Sequence, residues 1–111
     1  MTVVAFSLAR FTPADLAEFA AIAKPRIERG LWAGFVRQTD RDCDHLLVTF
    51  PSLDRPVFRF ERDRRGTYTL WFNDRQGWHN IGTGSTAAEC LIIWRPRLPR
   101  EEVAQRSVEA Y

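Results

Sequence analysis

Leu16, Phe19, Ala20, Ala23 and Ile27 recur at helical spacing while Asp15, Glu18 and Arg26 fall off that stripe, which predicts an amphipathic helix with one core face. Its start is written in FTPADL, where Thr12 can cap the backbone N–H of Asp15, Pro13 suits the first helical position and Phe11 can staple onto Leu16. Pro25 lies inside the same pattern and removes a hydrogen bond, so the helix is expected to kink or to split before Gly30. Ahead of it, TVVAFSLAR alternates Val4, Phe6 and Leu8 with smaller residues and predicts a strand.

The middle of the chain changes period. LWAGFVRQ, HLLVTF, PVFRFER and TYTLWF are β-branched and aromatic runs separated by turn clusters such as TDRDCD and PSLDRP, the pattern of an antiparallel sheet. The DRRG joint selects a register. With Arg64, Arg65 and a left-handed Gly66 as a three-residue loop, Phe60 pairs with Leu70 and Phe58 with Phe72, putting the large apolar residues on one face. Arg59 then lies beside Trp71, and Glu61 beside Thr69, on the outer face. A two-residue loop would mix the faces.

Toward the C-terminus, Thr86 and Glu89 have capping-box spacing, so a helix is expected from Ala87, although the run CLIIW also fits a strand. LPREEVAQRSVEAY places Pro99 in a first turn ahead of Glu101 and Glu102 and predicts a final helix. The reading is a single α+β domain spanning 1–111. An antiparallel sheet of about five strands carries the N-terminal helix and the C-terminal helices mainly on one face.

Composition narrows the functional classes. Apolar residues make up 45% and charged residues 27% of the 111, as in an ordinary folded domain. Sixteen basic against 14 acidic residues leave a net charge of +2, which does not mark a nucleic-acid protein. Lys24 is the single lysine, an arginine bias that fits a GC-rich, bacterial-type coding sequence. Two cysteines form no disulfide framework, the start MTVVAFSLARF has no basic region before its apolar stretch, and no apolar run reaches a membrane span. A cytoplasmic protein without membrane contact is expected.

The candidate chemistry is sparse. NIGTGSTAAEC offers Gly84, Ser85 and Thr86 as a candidate anion site at a helix start, but it lacks the lysine of a phosphate loop and the third glycine of a dinucleotide fingerprint. TDRDCDH sets Asp40, Asp42 and Asp44 at alternate positions like the start of a calcium loop, yet His45 replaces the required glycine and Pro51 the closing glutamate. Cys43 and His45 supply two soft ligands, and Cys90 and His79 would have to join them from distant turns, so no metal and no cofactor is expected. Cys90, beside Leu91, Ile92 and Ile93, reads as an inert core thiol. His79 in RQGWHN is the best titratable candidate, but no catalytic residue is assigned.

What remains is a non-catalytic module that binds a protein partner or a second copy of itself through Arg59, Trp71, Trp78 and Arg37. The alternative is a nucleic-acid or phosphoryl-ligand binder in which Arg37, Arg59, Arg64, Arg65 and Arg75 meet phosphates and Trp71 and Trp78 stack on bases. Glu61, Asp63 and Asp74 interleave with those arginines and weaken the alternative.

Overall fold

The computed structural model describes residues 8–94. Helix α1 (Pro13–Glu28) is followed by five strands, β1 (Gly34–Thr39), β2 (Cys43–Thr49), β3 (Pro56–Asp63), β4 (Tyr68–Asp74) and β5 (Gly77–Gly84), then a single helical turn α2 (Ala87–Cys90) and a 3-10 turn at Ile92–Trp94. The strands form one antiparallel meander in the order β1-β2-β3-β4-β5, so the fold is α+β with its helices on one face.

Register follows from turn chemistry. Gly66 sits at φ +78, its N–H donates to the Asp63 carbonyl at 2.9 Å, and the Asp63 N–H donates to the Thr67 carbonyl at 3.1 Å. This three-residue loop pairs Phe60 with Leu70, Phe58 with Phe72, Arg59 with Trp71 and Glu61 with Thr69, as the alternation requires. Extending the pairing across all strands gives rows of side chains. Leu46, Phe60 and Leu70 form the central core row, with Val48, Phe58 and Phe72 on one side of it and Asp44, Arg62 and Tyr68 on the other. Phe19 of α1 lies flat on Phe60 at 5.4 Å between ring centroids, and Phe11 stacks on Phe60 at 5.1 Å. Trp94 closes the far end against Phe58 at 4.9 Å and Trp32 at 5.2 Å.

Several expectations need correction. Pro25 does not split the helix, which runs unbroken to Glu28. Proline cannot donate to the carbonyl one turn back, but Pro25 falls in the last turns, and the Arg26 guanidinium donates to the Ile22 carbonyl at 2.9 Å beside the gap. The buried face is also rotated. Asp15 and Ile22 are buried with Phe19 and Ala23, whereas Ala20 is exposed. Asp15 is drawn in by distant partners: the Tyr68 hydroxyl donates to both of its oxygens at 2.9 Å, and the Arg62 guanidinium lies 3.4 Å away. Burial, then the bond to Asp15, pushes the Tyr68 hydroxyl up to about 12.

The fifth strand is β5, GWHNIGTG, which is not among the runs assigned to strands above. The strand expected at residues 2–10 lies mostly outside the described residues, and Leu8 and Ala9 are in a turn. The final helix expected in LPREEVAQRSVEAY also lies outside them. Residues 87–90 are helical rather than strand, with the Thr86 hydroxyl accepting from the Glu89 N–H at 3.1 Å.

That helical turn explains the glycines before it. A Cβ at Gly82 would stand 2.7 Å from the Cys90 carbonyl oxygen, and one at Gly84 would stand 2.8 Å from the Cys90 nitrogen and 2.6 Å from Glu89 Cβ. Both contacts are closer than real side chains make. NIGTGSTAAEC therefore lets α2 lie directly on β5, with Cys90 fully buried and its thiol pushed up to about 12 by that burial.

Candidate functional site

No described helix packs on the other face of the sheet, where Thr69 is buried and Arg59, Trp71 and Trp78 are half-buried. Its central row runs Val36, Leu47, Arg59, Trp71, Asn80, and the next row Gln38, His45, Glu61, Thr69, Thr83. A bulge at Ile81 keeps Trp78 and Asn80 on this side, because Trp71 pairs with Asn80 while Leu70 pairs with Gly82. The Asn80 carboxamide accepts from the Gly82 N–H at 3.0 Å and donates to Thr83 Oγ1 at 3.0 Å, tying the bulge down.

Three of the four binding residues expected from sequence meet on this face. The Arg59 guanidinium lies 5.3 Å from the Trp71 ring centroid and 4.9 Å from that of Trp78, within cation–π reach of both. Glu61 Oε1 sits 3.4 Å from Arg59 Nε, so the cation is neutralised beside the rings. Arg59 Nε and Trp71 Nε1 have no aligned hydrogen-bond acceptor among the described residues.

Arg37, the fourth, is elsewhere. It pairs across from Leu46 in a core row and grips Asp44, with Nε 3.0 Å from Oδ1 and Nη2 2.5 Å from Oδ2. Asp44 is fully buried and also accepts from Thr39 Oγ1 at 2.7 Å and the Phe11 N–H at 2.9 Å. Burial pushes this carboxyl up, but the bonds from Arg37, Phe11 and Thr39 outweigh it and leave it below its usual value. Arg37 clamps Asp44 from the helix-covered side of the sheet and does not join Arg59, Trp71 and Trp78.

The arginines invoked for nucleic acid are largely neutralised. Arg64 Nε lies 3.0 Å from Asp42 Oδ1, and Arg37 and Arg59 have the carboxylate partners just described. The candidate anion site is likewise engaged from within: the Glu89 carboxylate accepts from the Ser85 N–H at 2.8 Å and the Ser85 hydroxyl at 3.0 Å. His79 is half exposed and pairs with Asp74 at 2.9 Å.

One cluster joins residues that the sequence reading weighed separately, Asp40 in an acidic loop and Cys43 and His45 as two soft ligands. Cys43 and His45 project from the same side of β2, and Asp40 reaches them from the β1–β2 turn. Asp40 Oδ1 is held by the N–H groups of Asp42 at 2.8 Å and Cys43 at 2.9 Å, which leaves Oδ2 facing His45 Nε2 at 3.3 Å and Cys43 Sγ at 3.9 Å. Cys43 Sγ lies 3.5 Å from His45 Nε2, and Glu61 Oε1 lies 3.8 Å from His45 Nδ1. Backbone bonds from Cys43 and Asp42, then His45, hold Asp40 down to about 2. Burial and then the Glu61 and Asp40 carboxylates push the Cys43 thiol up to about 11. A thiol held protonated in this way is a poor nucleophile at neutral pH.

By fold and site the molecule is an α+β meander with one helix-covered face and one aromatic, mixed-charge face. No protein family, curated protein or solved structure matches the chain. No helix among the described residues is long and apolar enough to cross a membrane.

Proposed function

We propose that this protein is a self-associating, non-catalytic module that pairs with a second copy through the outer face of its sheet. The observation that carries this reading is the Arg59 guanidinium set against both Trp71 and Trp78 on a face no described helix covers. Val36, 58% exposed, extends the apolar row to the β1 edge, and Leu47 links it to Arg59. Trp and Arg are the residue types that most often anchor interfaces.

Charge favours a second copy over nucleic acid. Arg59 beside Glu61 gives neighbouring groups of both signs, so a two-fold pairing can set each against its opposite. A phosphate backbone would instead meet those carboxylates. Size puts the pair among the weaker interfaces. Five strands about 4.8 Å apart and six residues long make a face of roughly 500 Å2, so a pair buries roughly 1,000 Å2, the low end for a specific interface. A dissociation constant on the order of 10 μM is expected.

The test is sedimentation velocity across concentrations spanning that value. Wild type should pass from monomer to dimer, while Arg59→Ala and Trp71→Ala stay monomeric with the fold intact by circular dichroism. Concentration-independent sedimentation of wild type overturns the proposal. So does tight binding of a labelled single-stranded oligonucleotide that is lost in an Arg64→Ala, Arg65→Ala double variant, which would favour the nucleic-acid reading.

A further inference from the structure

We propose that Asp40, Cys43 and His45 form a binding site for a borderline-soft divalent cation, Zn2+ in the first instance. The donor set argues for the metal class: thiolate and imidazole suit zinc and its neighbours, whereas calcium wants six to eight oxygens. Spacing argues for the geometry. A tetrahedral zinc with ordinary bond lengths needs its sulfur and nitrogen ligands about 3.5 Å apart, its nitrogen and oxygen about 3.3 Å apart, and its sulfur and oxygen about 3.5 Å apart. The corresponding separations here are 3.5, 3.3 and 3.9 Å.

The three atoms are also held near those positions before any ion arrives. The backbone bonds to Asp40 Oδ1 fix the carboxylate so that Oδ2 is the free donor, and Cys43 and His45 are two residues apart on one strand face. Cys43 Sγ lies nearly as close to Nδ1, at 3.8 Å, as to Nε2, so the ring must turn to aim the Nε2 lone pair at the ion. That torsion is soft. With Nε2 as ligand, Nδ1–H faces Glu61, the carboxylate partner that orients many zinc-bound histidines. The site lies at the turn end of the β1–β2 hairpin, with Asp40 exposed, so an ion has a path in. Three protein ligands leave the fourth position to water.

The inference does not depend on self-association, although His45 and Glu61 lie on the same sheet face, and its test is spectroscopic. Full-length protein stripped with chelator is titrated with Co2+, and Zn2+ affinity is then measured by competition with a chromophoric chelator. One equivalent of Co2+ should give a thiolate-to-cobalt charge-transfer band and the intense visible absorption of a tetrahedral ion. Cys43→Ser should abolish the band. Cys43→Ser, His45→Ala and Asp40→Asn should each weaken Zn2+ binding by about tenfold or more, and Glu61→Gln by about tenfold. His79→Ala, at the other histidine, should change nothing. Absence of the charge-transfer band in wild type, or Zn2+ uptake unaltered by Cys43→Ser, overturns the site.

Discussion

Replacing Asp44 with alanine tests the physics that holds the β1–β2 hairpin in place beneath the candidate sites. The carboxylate is fully buried and joins three segments, accepting from the Phe11 N–H just ahead of α1, from Thr39 and Arg37 on β1, and supplying them from β2. The loss is not the sum of those bonds. Arg37 is 41% exposed and Thr39 is exposed, so both can turn to water and contribute little to the deficit. Phe11 cannot: it is 6% exposed, and its N–H would be left without a partner. An unsatisfied buried donor costs about 1–3 kcal/mol, and a lost charge-assisted bond about 1.5–3 kcal/mol. Asp44→Ala should therefore lose about 3 kcal/mol, and Asp44→Asn, whose amide oxygen can still accept from Phe11, roughly half of that. The sign with pH is fixed. A carboxyl whose folded pKa is depressed contributes stability above its unfolded value near 3.9 and loses it as pH falls through the folded value, so wild type should weaken below about pH 4. Urea unfolding followed by tryptophan fluorescence at pH 7 and at pH 3 reads both effects. A loss below about 1 kcal/mol at pH 7 for Asp44→Ala, or an acid slope unchanged by it, would refute the reasoning.

Gly84→Ala should destabilise by about 1–3 kcal/mol in thermal unfolding, because its Cβ would meet backbone 2.8 Å away. Thr86→Ala should cost about 1 kcal/mol by loss of the cap on Glu89, and a melting temperature equal to wild type would contradict the helical turn. Trp71→Ala should cost well under the 3–5 kcal/mol of a buried aromatic, and a loss of that size in urea unfolding would mean that the ring is covered within its own chain. One equivalent of Zn2+ should raise the melting temperature and chelator should reverse it, with Cys43→Ser unresponsive to both.

The sheet was legible where local chemistry and the side-chain period agreed. Gly66 and the alternation of Phe58, Phe60, Leu70 and Phe72 admit one hairpin register, and that register sets Arg59 beside Trp71. β5 was not legible because Gly82 and Gly84 depress strand propensity for a reason set by tertiary structure, the close approach of α2. Asp15 was assigned to the solvent side because its partners, Tyr68 and Arg62, lie 53 and 47 residues away. The Asp40, Cys43 and His45 juxtaposition was within reach. Reading Asp40, Asp42 and Asp44 as alternating ligands overlooked that a strand sends residues 43 and 45 to one face and 44 to the other, where Asp44 is consumed by Arg37.

The central claim, that two copies meet through the outer sheet face, is tested most directly by an isotope-filtered NOE experiment on a mixture of 13C-labelled and unlabelled protein above the expected dissociation constant. Intermolecular contacts should link the Trp71 and Trp78 indoles to the Val36 and Leu47 methyl groups. Contacts confined to Leu31, Ile92 and Ile93, the exposed apolar residues of the helical side, or no intermolecular contacts at all, would contradict it.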